Sequence, residues 1–330
     1  MLKPLMGSAA LLLAAPLLAQ TSSQSPETSV GKESDSAEGD EYAGEEMIQA
    51  QKDRYERLTV PVTIEGKGPY RFMVDTGAQA TAISRRVNDD LQLPSLGRAM
   101  LVAMGSRREV DLVQLNGLEF AGRLFDNLEA PLLEARNVGA DGILGLDSLQ
   151  NMRVLIDFKE DRIHVSDAES DSSQRGYEIV VRARRRLGQM IITNARIDGI
   201  KTSVIIDTGA QNTVGNGALR NRMRSRSEML VQSTDVNGVQ VLGNLGFARR
   251  MTIDGIELTG VPISFSDSPA FTALDLDSRP ALILGMRNLQ NFERIAIDFS
   301  TAKVLFDLPS GAYNVNPYQR TFFPTRIPGG

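Results

Sequence analysis

The sequence predicts an all-β chain of two similar lobes, and three observations carry that expectation. From Leu58 onward the chain consists of short runs such as "LTVPVTIEG", "YRFMVDTG", "VDLVQLNG" and "RVLIDFKEDRIHV". Runs this short, rich in Val and Ile and bounded by Gly, Pro, Asn and Asp, are strands. A second series, from "YEIVVRARR" to "RIAIDFSTAKVLFDL", repeats the first in order. Each series contains Asp-Thr-Gly-Ala-Gln (75–79 and 207–211), then Ile-Leu-Gly with a leucine four residues on (Gly145/Leu149 and Gly285/Leu289), then Ile-Asp-Phe (156–158 and 297–299). Asp75 lies 70 residues before Gly145 and Asp207 lies 78 before Gly285. A duplicated β unit of roughly 110 to 130 residues, close to ordinary domain size, accounts for this order. Helical periodicity is confined to brief pieces at 85–92 and 146–151.

The segments read as follows. Residues 1–20 have a basic start at Lys3, an apolar centre from Ala9 to Leu18 and Ala19 as a small residue for cleavage. That is the pattern of a secretory signal peptide, with an apolar centre short for a bilayer span. Leu17, three positions before Ala19, leaves an uncleaved membrane tether as the alternative. Residues 21–50 form a Ser-, Glu- and Gly-rich acidic linker, with eight acidic residues and one lysine in 21–46. So few apolar residues predict disorder. Lobe 1 is expected over 51–168 and lobe 2 over 169–308, divided near the Ser/Asp cluster 166–176. The Pro/Gly-rich tail 309–330 is expected to be extended. Export places the protein in the periplasm. The chain has no cysteine, which excludes thiol catalysis and disulfides, and its net charge of −5 disfavours nucleic acid as a partner.

The residue inventory narrows the chemistry. The only histidine is His164, expected at the surface or on an edge strand, so a Ser-His-Asp triad has little to build on. No clustered His, Cys and carboxylate set suggests a metal, and no phosphate-binding glycine loop occurs. Neither metal nor organic cofactor is expected. What remains is carboxylate chemistry. Two carboxylates in hydrogen-bonding distance retain one proton over a pH range in which isolated aspartates have lost it. One then takes a proton from water while the other donates to a carbonyl oxygen. Glycine after Asp-Thr lets the backbone pass close to the opposite carboxylate, and threonine offers a short, stiff hydroxyl for fixing two loops together.

Asp75-Thr76-Gly77-Ala78 and Asp207-Thr208-Gly209-Ala210, with Ile143-Leu144-Gly145 and Ile283-Leu284-Gly285, resemble the retroviral-type (retropepsin-like) aspartic proteases. The resemblance covers residues 58–165 and 177–307. It implies two β-barrel lobes in one chain, a pseudo-twofold pseudodimer with a central cleft. It also implies an endopeptidase acting on a protein or peptide, as a monomer, without an acyl-enzyme. Asp75 and Asp207 would be the catalytic pair. Thr76 and Thr208 would join the lobes, and Gly77, Ala78, Gly209 and Ala210 would support the pair and bind substrate backbone. Flap hairpins are implied at 99–114, with a tip near Met104-Gly105, and at 230–243, where Asn237-Gly238 predicts a two-residue turn. A single glycine in the first predicts a stiffer or shorter flap.

Alanine at 78 and 210, where a hydroxyl would lower the neighbouring carboxylate's pKa, predicts activity extending toward neutral pH. The basic runs "RARRR" and "RNRMRSR" are expected on solvated strand edges and helix faces, and Asp157 and Asp298 in structural turns or ion pairs. A catalytically silent peptide-binding cleft is the competing class.

Overall fold

The computed structural model describes residues 46–53, 57–167, 177, 179–224, 229–309 and 325–326. The expected signal segment, most of the linker and most of the tail lie outside these residues. The described chain is dominated by strands, with six short helices.

In the first lobe, Leu58–Ile64 and Lys67–Val74 form a hairpin closed by Glu65 and Gly66, both at positive φ (51° and 73°). Such a turn matches the right-handed twist of paired strands. Lys67–Val74 starts exposed and ends with Phe72, Met73 and Val74 buried, so the chain enters the core immediately before Asp75. After the Asp75 loop, Ala82–Ser84 leads into helix Arg85–Leu91, whose N-terminus Ser84 caps by accepting from the Val87 amide at 3.3 Å. Strand Gly142–Leu144 then returns between these two strands, parallel to Lys67–Val74 and antiparallel to Ala82–Ser84. It leads into helix Leu146–Leu149.

The second lobe repeats this plan. Gln189–Ile197 and Ile200–Ile206 meet at Asp198-Gly199, again both at positive φ. Asn216 caps helix Gly217–Arg222 through the Leu219 amide at 2.9 Å. Ala281–Leu284 returns parallel to Ile200–Ile206, and helix Met286–Leu289 follows. The helical pieces expected near 85–92 and 146–151 are thus present in shortened form.

The lobes are joined by a six-stranded sheet to which each contributes three strands, counting Glu46–Gln49 with the first and Ile179–Arg182 with the second. At its centre Met152–Asp157 pairs antiparallel with Arg294–Asp298. Arg153 faces Asp298 and Asp157 faces Arg294. Because Arg153 and Arg294 each stand four residues before the Ile-Asp-Phe aspartate, the contact is reciprocal, as at a twofold interface. The largest hydrophobic cluster runs through this sheet, from Val154 and Ile156 to Ile297 and Phe306.

Three expectations meet the structure here. Asp157 and Asp298 cap the turns after their strands, Asp157 accepting from the Lys159 and Glu160 amides and Asp298 from those of Ser300 and Thr301. Arg184–Arg186 forms an edge strand, with Arg184 and Arg185 exposed. His164 departs from expectation: it is buried on an interior strand, between Met47 and Leu155 of the two neighbours, because Glu46–Gln49 covers what would have been the edge. That strand also takes the last residues of the expected linker into the fold, anchored by the side chain of Ile48. At the other end, Thr325–Arg326 of the tail pairs with Ile256 and Glu257 of lobe 2.

Candidate active site

Parallel returns of the two Ile-Leu-Gly strands hold the aspartate loops in place. The Asp75 amide donates to Leu144 O at 3.0 Å and the Asp207 amide to Leu284 O at 3.1 Å. Gly145 and Gly285 accept no side chain here. A Cβ on Gly285 would lie 2.5 Å from Asn212 O, and one on Gly145 would overlap the Ala80 backbone. Behind them, Thr81 Oγ1 accepts from the Gly145 amide at 3.1 Å and Thr213 Oγ1 from the Gly285 amide at 3.2 Å. Polar partners differ between lobes. In lobe 1 Asp147 accepts from the Thr81 amide and hydroxyl, and burial raises its pKa. Lobe 2 has Arg287 at the equivalent place.

Each aspartate is wrapped by its own loop. Asp75 Oδ1 accepts from the Gly77 and Ala78 amides at 2.8 and 3.0 Å. Asp207 Oδ1 accepts from the Gly209 and Ala210 amides, both at 2.9 Å. The two carboxyls are close neighbours, each lying against the other loop's glycine, and they influence each other's titration. Both side chains are buried. Burial, followed by the nearby charge of Asp75, pushes the Asp207 carboxyl up to about 8. Burial raises Asp75 as well, opposed by the Gly77 amide, the Arg57 guanidinium and the Ala78 amide. Two buried carboxyls this close hold one proton between them over a pH range in which isolated aspartates have lost theirs.

Close approach depends on the glycines. A Cβ on Gly77 would sit 2.5 Å from Asp207 Cγ, and one on Gly209 would overlap the Asp75 carboxylate. Beneath the pair the threonines cross between lobes. Thr76 Oγ1 donates to Ile206 O at 2.9 Å and Thr208 Oγ1 to Val74 O at 2.7 Å. Each hydroxyl also accepts the opposite threonine's amide, at 3.1 and 3.2 Å. Four buried backbone groups are thereby satisfied by two side chains.

A family model described as "Aspartyl protease" matches residues 60–148 and 193–287, one region in each lobe. The chain belongs to the aspartyl protease family. Its retropepsin-like two-lobed plan agrees with the paired motifs. No curated protein gives a significant match.

In this aspartyl protease family chain two hairpins occupy the segments where flaps were expected. Ser95–Val102 and Arg107–Leu115 form the first, with Met104-Gly105 at a tight tip closed by the Ala103 amide on Ser106 O. Leu230–Thr234 and Gln240–Ile253 form the second. Its tip is not the expected two-residue Asn-Gly turn. Asp235 and Val239 close a three-residue loop in which only Gly238 takes positive φ, and Asp235 Oδ1 accepts from the Asn237 and Val239 amides. The acidic side chain before Asn237 supplies an alternative set of turn bonds.

The tips cross and lock. Asp235 Oδ2 accepts from the Gly105 amide at 3.2 Å and from Ser106 Oγ at 2.6 Å, while Asn237 Nδ2 donates to Ser106 Oγ at 2.9 Å. Met104 packs into the lobe 2 cluster of Ile191, Ile205 and Ile283, and Val236 into the lobe 1 cluster of Met73, Leu133 and Ile143. These clusters flank the aspartates, since Met73 and Ile205 each lie two residues before one. Ser106→Ala removes the two cross-tip bonds of its hydroxyl and leaves the Gly105 amide bond and the Asp235 turn intact. It should accelerate amide exchange at the Gly105 tip about tenfold, the equivalent of one charge-assisted bond; unchanged exchange would show that the hydroxyl does not hold the tips.

Two cavities, of about 270 and 570 Å³, lie away from the aspartates. The smaller is lined by Arg107 of the first flap with Ser268 and Thr272 of lobe 2, the larger by Lys52, Arg71, Arg86 and Arg136 around lobe 1.

Sequence reasoning missed Arg57 and Gln189. Each stands 18 residues before its aspartate at the head of a lobe's first strand pair. Each reaches into the other lobe's loop: Arg57 Nη1 donates to Gly209 O at 3.2 Å and Gln189 Nε2 to Gly77 O at 2.6 Å. Superposing the two repeats would have aligned them, but an Arg and a Gln share no obvious pattern.

Proposed function

We propose that the protein is an aspartic endopeptidase that hydrolyses peptide bonds with Asp75 and Asp207. The observation that carries this reading is the pair of buried carboxyls brought together by two equivalent loops, each packed against the other loop's glycine. A water held between the carboxyls loses a proton to Asp75 as its oxygen attacks the scissile carbonyl carbon, and the Asp207 proton passes to the carbonyl oxygen. Collapse of the tetrahedral diol returns a proton to the departing nitrogen. The carbonyl bond re-forms, the C–N bond breaks, and the pair again holds one proton. No atom of the protein is acylated.

Closure of the hairpins would shield these proton transfers from bulk water and hold an extended peptide. Both halves of the pair come from one chain, which supports a monomeric enzyme. The signal-like N-terminus supports export, with action on a protein or peptide in the periplasm. Incubating the purified protein with an unfolded protein across pH 3 to 8 tests this. Cleavage that falls by at least about a hundredfold in Asp75→Asn and in Asp207→Asn is expected. Wild type cutting no better than either variant would leave a silent peptide-binding cleft.

A further inference from the structure

We infer that Arg57 is a positioning residue that breaks the twofold equivalence of the pair, holding Asp75 as the charged member and so leaving the shared proton on Asp207. This rests on the proposed peptidase reading and deepens it. The two lobes present near-identical surroundings to their aspartates: matching amide pairs, matching glycines and crossed threonines. Nothing in that frame distinguishes one carboxyl from the other.

Behind the loops Asp147 and Arg287 differ, but the distinction beside the carboxyls enters at one pair of equivalent positions. Gly209 abuts Asp75 and Gly77 abuts Asp207, as the positions a Cβ would take on either glycine demonstrate. The side chain bonded to Gly209 O therefore lies beside Asp75, and the one bonded to Gly77 O lies beside Asp207. The first is a guanidinium, Arg57; the second is a neutral amide, Gln189. Arg57 is buried and its orientation is fixed by Asp53, whose Oδ2 accepts from Nε at 2.9 Å and Nη2 at 2.6 Å, and by Val138 O. Asp53 itself is held by the Arg57 amide at 2.9 Å.

Other charged groups near the site are committed elsewhere. Asp147 is bonded to Thr81, and Asp235 to Gly105 and Ser106 on the flap tips. The Arg57 guanidinium lowers the Asp75 pKa, whereas the equivalent position beside Asp207 carries the neutral Gln189 amide. A fixed cation at one carboxyl favours its ionised form, and the neighbouring carboxyl then keeps the proton. The consequence is a fixed direction for the reaction, with Asp75 always the base toward water and Asp207 always the acid toward the carbonyl oxygen.

The test is the pH profile of kcat/KM in Arg57→Gln, Arg57→Lys and Gln189→Arg, with Asp53→Asn/Arg57→Gln added so that no buried carboxylate is stranded. Loss of the cation should move the acidic limb up by about one pH unit in Arg57→Gln and in the double variant. Arg57→Lys should restore it, and Gln189→Arg should move the basic limb down. Limbs that stay at their wild-type positions, even with rates reduced at every pH, would overturn the inference and make Arg57 purely structural. Should both Gln variants fail to fold, Gln189→Arg decides alone. If wild type hydrolyses nothing, the peptidase reading falls, and the inference is then decided by carbon-13 titration of the Asp75 carboxyl. An upward move in Arg57→Gln sustains it and no move overturns it.

Discussion

Replacing Thr76 or Thr208 with valine is expected to cost more stability than any other single hydroxyl removal in the protein. Valine matches threonine in shape, so packing is retained and only the hydroxyl is lost. In Thr76→Val the Ile206 carbonyl and the Thr208 amide lose their partner; in Thr208→Val the Val74 carbonyl and the Thr76 amide do. All four groups lie where water does not reach, and a stranded buried donor or acceptor costs about 1–3 kcal/mol. Each variant should therefore lose roughly 2–4 kcal/mol, or about 5 to 15 °C in Tm. The double variant should fall short of twice that loss, because both substitutions disrupt one shared network. Calorimetry checks this directly. A fall below about 1 kcal/mol in either single variant would mean that the six-stranded sheet alone positions the lobes.

Asp207→Asn should abolish cleavage and yet raise stability, by an amount that depends on pH. The carboxyl pair titrates higher in the folded protein than in the unfolded chain, up to about 8 for Asp207. Between ordinary carboxylate pKa values near 4 and about 8, the folded state therefore holds a proton that the unfolded chain has released. Stability falls as pH rises through that window, and is free of this loss below it. Asparagine carries no titrating proton and should remove the part of the slope that Asp207 contributes. Thermal unfolding at pH 7.5 should show Asp207→Asn more stable than wild type, with the two nearly equal at pH 4. Equal stabilities at both pH values would contradict the raised pKa. A functional pair that destabilises its own fold is the usual cost of a preorganised site.

What the sequence made legible was whatever is local and repeated. Asp-Thr-Gly-Ala, Ile-Leu-Gly and the Ile-Asp-Phe turns read correctly because each demand on them, such as close approach at Gly77 or turn capping at Asp157, is met within a few residues. Hairpins stand where the resemblance implied flaps, but the second tip differs, because the Asp235 carboxylate reorganises the turn that Asn237-Gly238 predicts. His164 was misplaced since its strand becomes interior only when Glu46–Gln49, 113 residues or more away in sequence, pairs with it. Arg57 and Gln189 were invisible for a related reason: their bonds to Gly209 and Gly77 cross between lobes. Contacts of that kind leave no periodicity, and only the equal spacing from the two aspartates hinted at them.

The flaps add a thermodynamic consequence. With Met104 and Val236 seated in the opposite lobes' apolar clusters, a peptide side chain would, on the proposed reading, have to displace one of them to enter either cluster. Part of its binding free energy is then offset by the contacts it replaces.

Carbon-13 titration of the two carboxyls in wild type and in Asp75→Asn decides whether the two repeats build one proton-sharing site. One carboxyl should titrate at about 8 in wild type, and in Asp75→Asn the remaining Asp207 should move to lower pH once the neighbouring negative charge is gone. Two independent titrations near the ordinary aspartate value, unmoved by the substitution, would contradict it.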